Sequence, residues 1–293
     1  MHPTLLEIES LGITVAAYHA CLLLAVIVCF AIGPRWVAAL EGLDPRRVFR
    51  AMLLIGLAAF AGGRIHFVVN NWPIFADQPL DALRIWSGGL HAGGSIVALA
   101  LATPLILHWL ALPVGRFADG FAPTVGIGIA IARLGCFLHG CCFGALCSWP
   151  WGVTFPRDTY IHQYHVDLGL LSAGAARTLP VHPLQLYFAG AGLLITIVAL
   201  WLRARKRYDG EVALTSLALF AASTAALEFL RADCQPSANW GPLPHLTWVA
   251  FAMTAAAVAA LASAERAHRR ASAGSRIVRF AAMPPPLTRR PAS

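Results

Sequence analysis

The sequence predicts an all-α, polytopic integral membrane protein with seven spanning helices, and three observations carry that prediction. Only 12% of the 293 residues are charged and 58% are hydrophobic, whereas a soluble domain carries roughly 25% charged residues. With a mean hydropathy of +0.66, a water-soluble fold has no means of hiding so much apolar surface. The apolar residues form long unbroken runs, unlike the polar–apolar alternation of outer-membrane barrel strands. The basic residues fall between those runs, so the formal net charge of +8 reads as a topology signal rather than a nucleic-acid face.

A helix crosses the hydrocarbon core with roughly 20 apolar residues, and seven segments reach that length. The first, about 13–33, follows Glu7 and Glu9 rather than the basic leader of a cleaved signal peptide, and is expected to remain as a span. The second, 51–70, follows Arg46, Arg47 and Arg50 and contains Gly62, Gly63 and Arg64. The third, 88–111, opens within SGGLHAGG (87–94), and the fourth, 118–140, runs into ARLGCFLHGCCFG (132–144). The fifth, 183–202, starts at Pro183, a residue suited to a first helical turn. The sixth, 212–230, holds Glu228, and the seventh, 246–263, leads into a tail rich in Arg, Ala and Pro. Residues 1–264 are thus expected to form the membrane domain and 265–293 a basic, disordered tail.

Sixteen of the 22 Lys and Arg residues lie in the first, third and fifth inter-helix loops and the tail. The positive-inside rule makes that side cytoplasmic and puts the N-terminus outside. Among the arginines left over, Arg64, Arg133 and Arg231 fall within or at the edge of spans. A charge at membrane depth costs about 2.5–3.5 kcal/mol on insertion scales, so such residues line cavities or meet partners. Glu228 stands three residues before Arg231 and is expected to pair with it. Guanidinium groups converging from several helices would bind an anion, and in a bilayer that anion is a phospholipid headgroup. The adjoining glycines fit either close helix packing or broken helices around a cavity.

His66, His91, His139, His162, His165, His182 and His245 all fall on the outer side, where a histidine could serve as a base near neutral pH. Cys136, Cys141, Cys142, Cys147 and Cys234 share that side. Their spacing differs from the paired C-x2-C zinc pattern, and neither a metal nor a cofactor is expected from it. Disulfides such as Cys142–Cys147 or Cys147–Cys234, inert packing, a reactive thiol and, against the spacing, a metal are the readings left open.

These segments, in order, resemble the bacterial prolipoprotein diacylglyceryl transferases. AAYHACLLLA (16–25) is similar to the family's first-span tyrosine motif, GGRIHFVV (62–69) to its G-x-R motif, and SGGLHAGG to its His-Gly-Gly segment. ARLGCFLHGCCFG followed by PWGVTFP (150–156) resembles the family signature, HPLQLY (182–187) its HP-x-QLY segment, and LEFLRAD (227–233) its E-F-x-R segment. The resemblance implies an inner-membrane enzyme that moves diacylglyceryl from phosphatidylglycerol to the lipobox cysteine of a prolipoprotein signal peptide. It implies catalytic roles for Arg133 and Glu228, with His91 or His139 as the base in place of the family's own, and substrate binding by Tyr18, Arg64, Arg133, Gly144, His182, Gln185, Tyr187 and Arg231. The lipid bilayer is the setting, with no nucleic-acid partner.

The chain also departs from the pattern. Cys136, His139 and Cys141 stand where the family signature has Asn, Asn and Glu. Ala92 occupies the place of the family's catalytic His, with His91 one residue earlier. Phe67 and Phe220 replace tyrosines, and Thr224 replaces an arginine. A lipid-group transferase with another acceptor, or with Cys136 or Cys141 as its own nucleophile, is therefore an alternative. A non-catalytic lipid-binding protein on the same scaffold is a third reading.

Overall fold

Buried in hydrocarbon, a backbone must satisfy its own hydrogen bonds, and the long apolar runs of this chain do so as helices. The computed structural model describes residues 4–8, 13–84, 88–157, 159–232, 239–240 and 243–281. Six helical segments among them are long and apolar enough to cross a membrane: 17–41, 45–70, 114–139, 184–203, 211–228 and 247–271. A seventh apolar helix, α5 (Ala92–Trp109), is 18 residues long, about 27 Å at 1.5 Å per residue, slightly short of the hydrocarbon core.

The first span has a built-in irregularity. Helix α1 (Ala17–Ile27) widens into a π-helical turn over Val28–Ile32 and continues as α2 (Gly33–Glu41). Pro34 has no N–H to donate and its ring crowds the carbonyl four residues back, which the wider turn relieves. The span starts at Ala17 rather than at 13, because Ile13–Ala16 (β2) pairs antiparallel with Thr4–Ile8 (β1). Ile13, Thr14 and Val15 are β-branched and favour extended backbone. A second hairpin joins Asn239–Trp240 (β3) to Leu243–Pro244 (β4), so two short strand pairs accompany an otherwise helical fold.

Asp44 caps α3 (Pro45–Asn70) by accepting from Arg46 N at 2.9 Å, with Pro45 in the first turn. A short helix α4 (Trp72–Phe75) and a 3-10 turn (Pro79–Leu83) follow before α5. Helix α6 (Val114–His139) lies at the centre, against α1, α2, α8 (Leu184–Arg203) and α9 (Glu211–Glu228), while α3 packs on α5. Helix α10 (His245–Ala281) packs on α9 and stays helical to Ala281, past the expected tail boundary at 264. Glycines set the two closest approaches. A Cβ on Gly94 would lie 2.2 Å from Gly62 O, and one on Gly126 would lie 2.5 Å from Gly192 O, so no larger residue fits these seams.

One end of the bundle is basic and tied by buried carboxylates. Asp119, fully buried, accepts from Gly210 N (2.8 Å) and Ala213 N (2.9 Å) at the start of α9. Lys206 Nζ bridges Asp119 Oδ2 (3.1 Å) and Glu41 Oε2 (2.6 Å). Arg203 and Arg116 also reach Glu41, donating to the carbonyls of Leu40 and Glu41. Trp109 and Trp201 stand exposed at this end, and Trp149 and Trp151, stacked at 5.0 Å, at the other. Leu23, Ile65, Leu105 and Ile197 are exposed between them. Apolar flanks bounded by aromatic belts are the surface a bilayer requires.

Candidate active site at the cysteine-rich end

The last turns of α6 set Arg133, Cys136 and His139 three residues apart, along one side of the helix. Gly140, at φ +76°, then ends the helix in the left-handed conformation, with Gly140 N and Cys141 N both donating to Cys136 O (2.9 and 3.2 Å). That turn folds the chain back. Cys142 also takes a left-handed conformation, φ +58°, at a cost of roughly 1–2 kcal/mol for a side-chain-bearing residue. The result is that the Sγ atoms of Cys136, Cys141 and Cys142 lie within 4.8 Å of one another.

All three are free thiols, as are Cys21, Cys29 and Cys147. A Cys142–Cys147 disulfide, one of the open readings, is therefore not formed, and Cys234 lies outside the described residues. Hydrogen bonds from the Cys136 and Cys141 thiols hold the Cys142 thiol below its usual range despite burial, and the Arg231 and Arg133 charges act in the same direction. One proton of the three is thus the easiest to lose.

Arg133 is half-buried, its guanidinium 4.2 Å above the Phe188 ring, and no hydrogen bond or ion pair engages it among the described residues. Arg231 forms the expected pair with Glu228, Nη1 to Oε1 at 3.2 Å, with the carboxylate buried. The backbone around Gly144 holds the two arginine-bearing elements in place. Gly144 N donates to His182 O (3.0 Å), Ala145 N to Leu230 O (2.7 Å) and His182 N to Ala145 O (2.9 Å). A Cβ on Gly144 would sit 2.7 Å from His182 Cβ and 2.9 Å from Leu230 O, so the strand-like segment 143–147 threads a slot that only glycine fits.

The other candidate residues divide between this cluster and a second location. Gln185, fully buried, donates to Cys141 O at 2.7 Å. His182 Nδ1 meets the Tyr187 hydroxyl at 3.2 Å, and the Tyr18 ring stands 5.7 Å from that of His139. Arg64 and His91 lie instead on the α3–α5 pair. The Arg64 guanidinium donates to the carbonyls of Asp81, Ala82, Arg84, Gly88 and Gly89. Its five N–H groups are thereby occupied, and it pins the loop between α3 and α5. His91 caps α5 by accepting from Gly93 N and contacts the His66 ring at 4.2 Å.

Beneath the cluster a cavity of about 740 Å³ opens between α1, α3, α5, α6, α8 and α9. Its walls are almost wholly apolar, including Phe30, Ile55, Phe121, Ile129 and Phe220. Ile129 precedes Arg133 by one helical turn, so the apolar chamber and this cation adjoin along one face of α6. Such a site suits an amphiphile with an anionic head and hydrocarbon tails. Sequence reading had identified both arginines. It had not identified the thiol convergence, which depends on the turn at Gly140, or the buried carboxylate Asp119 at the opposite end.

The family model described as prolipoprotein diacylglyceryl transferase matches residues 3–263. The phosphatidylglycerol–prolipoprotein diacylglyceryl transferase of Cupriavidus necator is 35% identical over 189 residues, 61% of this chain and 61% of that protein. Its counterpart in Corynebacterium glutamicum is 31% identical over 199 residues, 67% of this chain and 62% of the relative. That of Cupriavidus pinatubonensis is 32% identical over 232 residues, 75% of each. The chain thus spans somewhat under two thirds of the length of the first two relatives.

Proposed function

The chain belongs to the prolipoprotein diacylglyceryl transferase family, and from that premise we propose that it transfers diacylglyceryl from phosphatidylglycerol to the lipobox cysteine of a prolipoprotein. The observation that carries this reading is Arg133, a half-buried cation that rests on the Phe188 ring with no hydrogen bond or ion pair among the described residues, one helical turn after Ile129 in the wall of an apolar cavity. The lipid phosphate docks on Arg133 with its acyl chains in the cavity. The acceptor thiolate attacks the glyceryl carbon, the carbon–oxygen bond to phosphate breaks, and glycerol phosphate leaves with the electron pair. Arg133, with Arg231 beside it, stabilises the growing charge on that leaving group. Glu228 orients Arg231, and His139, one turn after Cys136 at the end of α6, takes the acceptor's proton, with His91 the second candidate base. Tyr18, His182, Gln185 and Tyr187 shape the headgroup site, and Arg64 pins the loop between α3 and α5.

In this account α5 completes seven passes, the basic end faces the cytoplasm and the cysteine-rich end faces outward across the inner membrane. Direct transfer is favoured over an enzyme-bound intermediate. A diacylglyceryl group on Cys136 or Cys141 would be a thioether, whose sulfur is a poor leaving group. Expression in cells depleted of their own diacylglyceryl transferase should restore growth and the lipid-modified form of a reporter lipoprotein. Accumulation of unmodified precursor despite normal membrane insertion would overturn the proposal.

A further inference from the structure

We propose that Cys136, Cys141 and Cys142 form a three-thiolate site for a zinc-class d10 divalent ion, whose open fourth position receives the acceptor thiol. The proposal rests on the transferase reading for its second half only. A tetrahedral zinc with Zn–S bonds of about 2.3 Å separates its sulfurs by about 3.8 Å, and the three Sγ atoms already lie within 4.8 Å of one another. The backbone is held ready for this. Gly140 turns the chain, Cys142 is kept in a left-handed conformation, and the buried Gln185 amide fixes the Cys141 carbonyl at 2.7 Å.

No fourth His, Cys or carboxylate donor joins the three sulfurs among the described residues. Three protein ligands with one position free is the arrangement of a catalytic rather than a structural zinc. Three thiolates on a divalent ion carry one net negative charge, and Arg133 stands one turn before Cys136 on α6.

The step balances. The acceptor R–SH binds the ion as thiolate and gives its proton to His139. The bound sulfur forms a bond to the glyceryl carbon while the carbon–oxygen bond breaks, and glycerol phosphate departs with that electron pair toward Arg133. The thioether product is neutral and a weaker ligand, so it leaves the ion. No electron is exchanged with any outside reagent.

The test uses the full chain, purified in detergent, reduced, and loaded with Zn(II) or with Co(II) as a spectroscopic substitute. Wild type should hold one ion per chain, and the Co(II) form should show thiolate charge-transfer and tetrahedral d–d bands. Cys136→Ser and Cys142→Ser should lose both, whereas Cys147→Ser should keep them; melting temperatures identify any variant that fails to fold. A lipobox peptide should shift the d–d bands, and the same peptide with serine in place of cysteine should not. An absence of thiol-dependent bands in wild type, or a preference for Cu(I) that leaves no position open, overturns the site. Bands that ignore the peptide overturn substrate coordination. Undiminished lipid transfer by metal-free Cys142→Ser defeats this proposal alone, whereas absence of transfer by the zinc-loaded wild type defeats the transferase reading and leaves the metal site standing.

Discussion

Replacing Gly144 with alanine tests whether the seam between the outer segments positions the arginines. The new Cβ would lie 2.7 Å from His182 Cβ, 2.9 Å from Leu230 O and 3.0 Å from His182 O, where ordinary contact begins near 3.4 Å. Two of those three atoms are backbone, so relief requires moving the 180–182 or 230–232 segment by about half an ångström or more. Overpacking of this kind costs about 1–3 kcal/mol, which lowers a melting temperature by roughly 2–10 °C in a chain of this size. The displaced segment carries Arg231, paired with Gly144 across the seam. Since a misplacement of about 1 Å can cost 100-fold in rate, transfer should fall roughly 10- to 100-fold. The assay is thermal unfolding in detergent together with initial rates of peptide lipidation. Gly190→Ala is the control, because nothing lies within 4 Å of a Cβ there. A Gly144→Ala protein that matches wild type in both melting temperature and rate would refute the reasoning.

Three further outcomes follow from the same geometry. Arg64→Ala removes a charged donor from five loop carbonyls; it should cost about 3 kcal/mol and accelerate hydrogen exchange across residues 79–90 more than elsewhere. Ser216→Phe projects a ring into the apolar cavity from a hydroxyl that is buried without a partner; it should raise KM for long-chain phosphatidylglycerol while sparing short-chain analogues. The third concerns pH. Burial opposes the charge on Lys206, but Glu41 and Asp119 outweigh it and raise the pKa. A folded pKa above the unfolded value gives stability that is fully present below about 10.4, the unperturbed lysine value, and is lost as pH rises through the folded pKa. The melting temperature should therefore drop above that pH in wild type, and the drop should be smaller in Lys206→Met, which is already less stable near neutrality.

The helices were legible because a spanning segment announces itself by length and hydropathy, which depend on no distant residue. The Glu228–Arg231 pair was legible for a related reason, since a spacing of three fixes a shared helical face whatever surrounds it. Arg64 was legible as a costly intramembrane cation, but not as the pin of the 79–89 loop, because its partners are carbonyls of a segment without a sequence signal. The short strands near Thr4 and Asn239 escaped because a few residues of extended chain carry too little periodicity. The spacing of Cys136, Cys141 and Cys142 fits no familiar ligand pattern. Their convergence comes from a left-handed turn at Gly140 and a second at Cys142, and only the first of these has a residue that signals it.

The most direct test of the central claim is the rate at which the purified protein adds diacylglyceryl mass to a lipobox peptide from phosphatidylglycerol, compared between wild type and Arg133→Ala. Arg133 makes no hydrogen bond or ion pair among the described residues and only rests on the Phe188 ring, so its removal should leave the fold intact. It takes away the cation assigned to the leaving phosphate, and the rate should fall at least about 100-fold with the melting temperature little changed. A wild type that leaves the peptide unmodified, or an Arg133→Ala protein that transfers at the wild-type rate, would contradict the account.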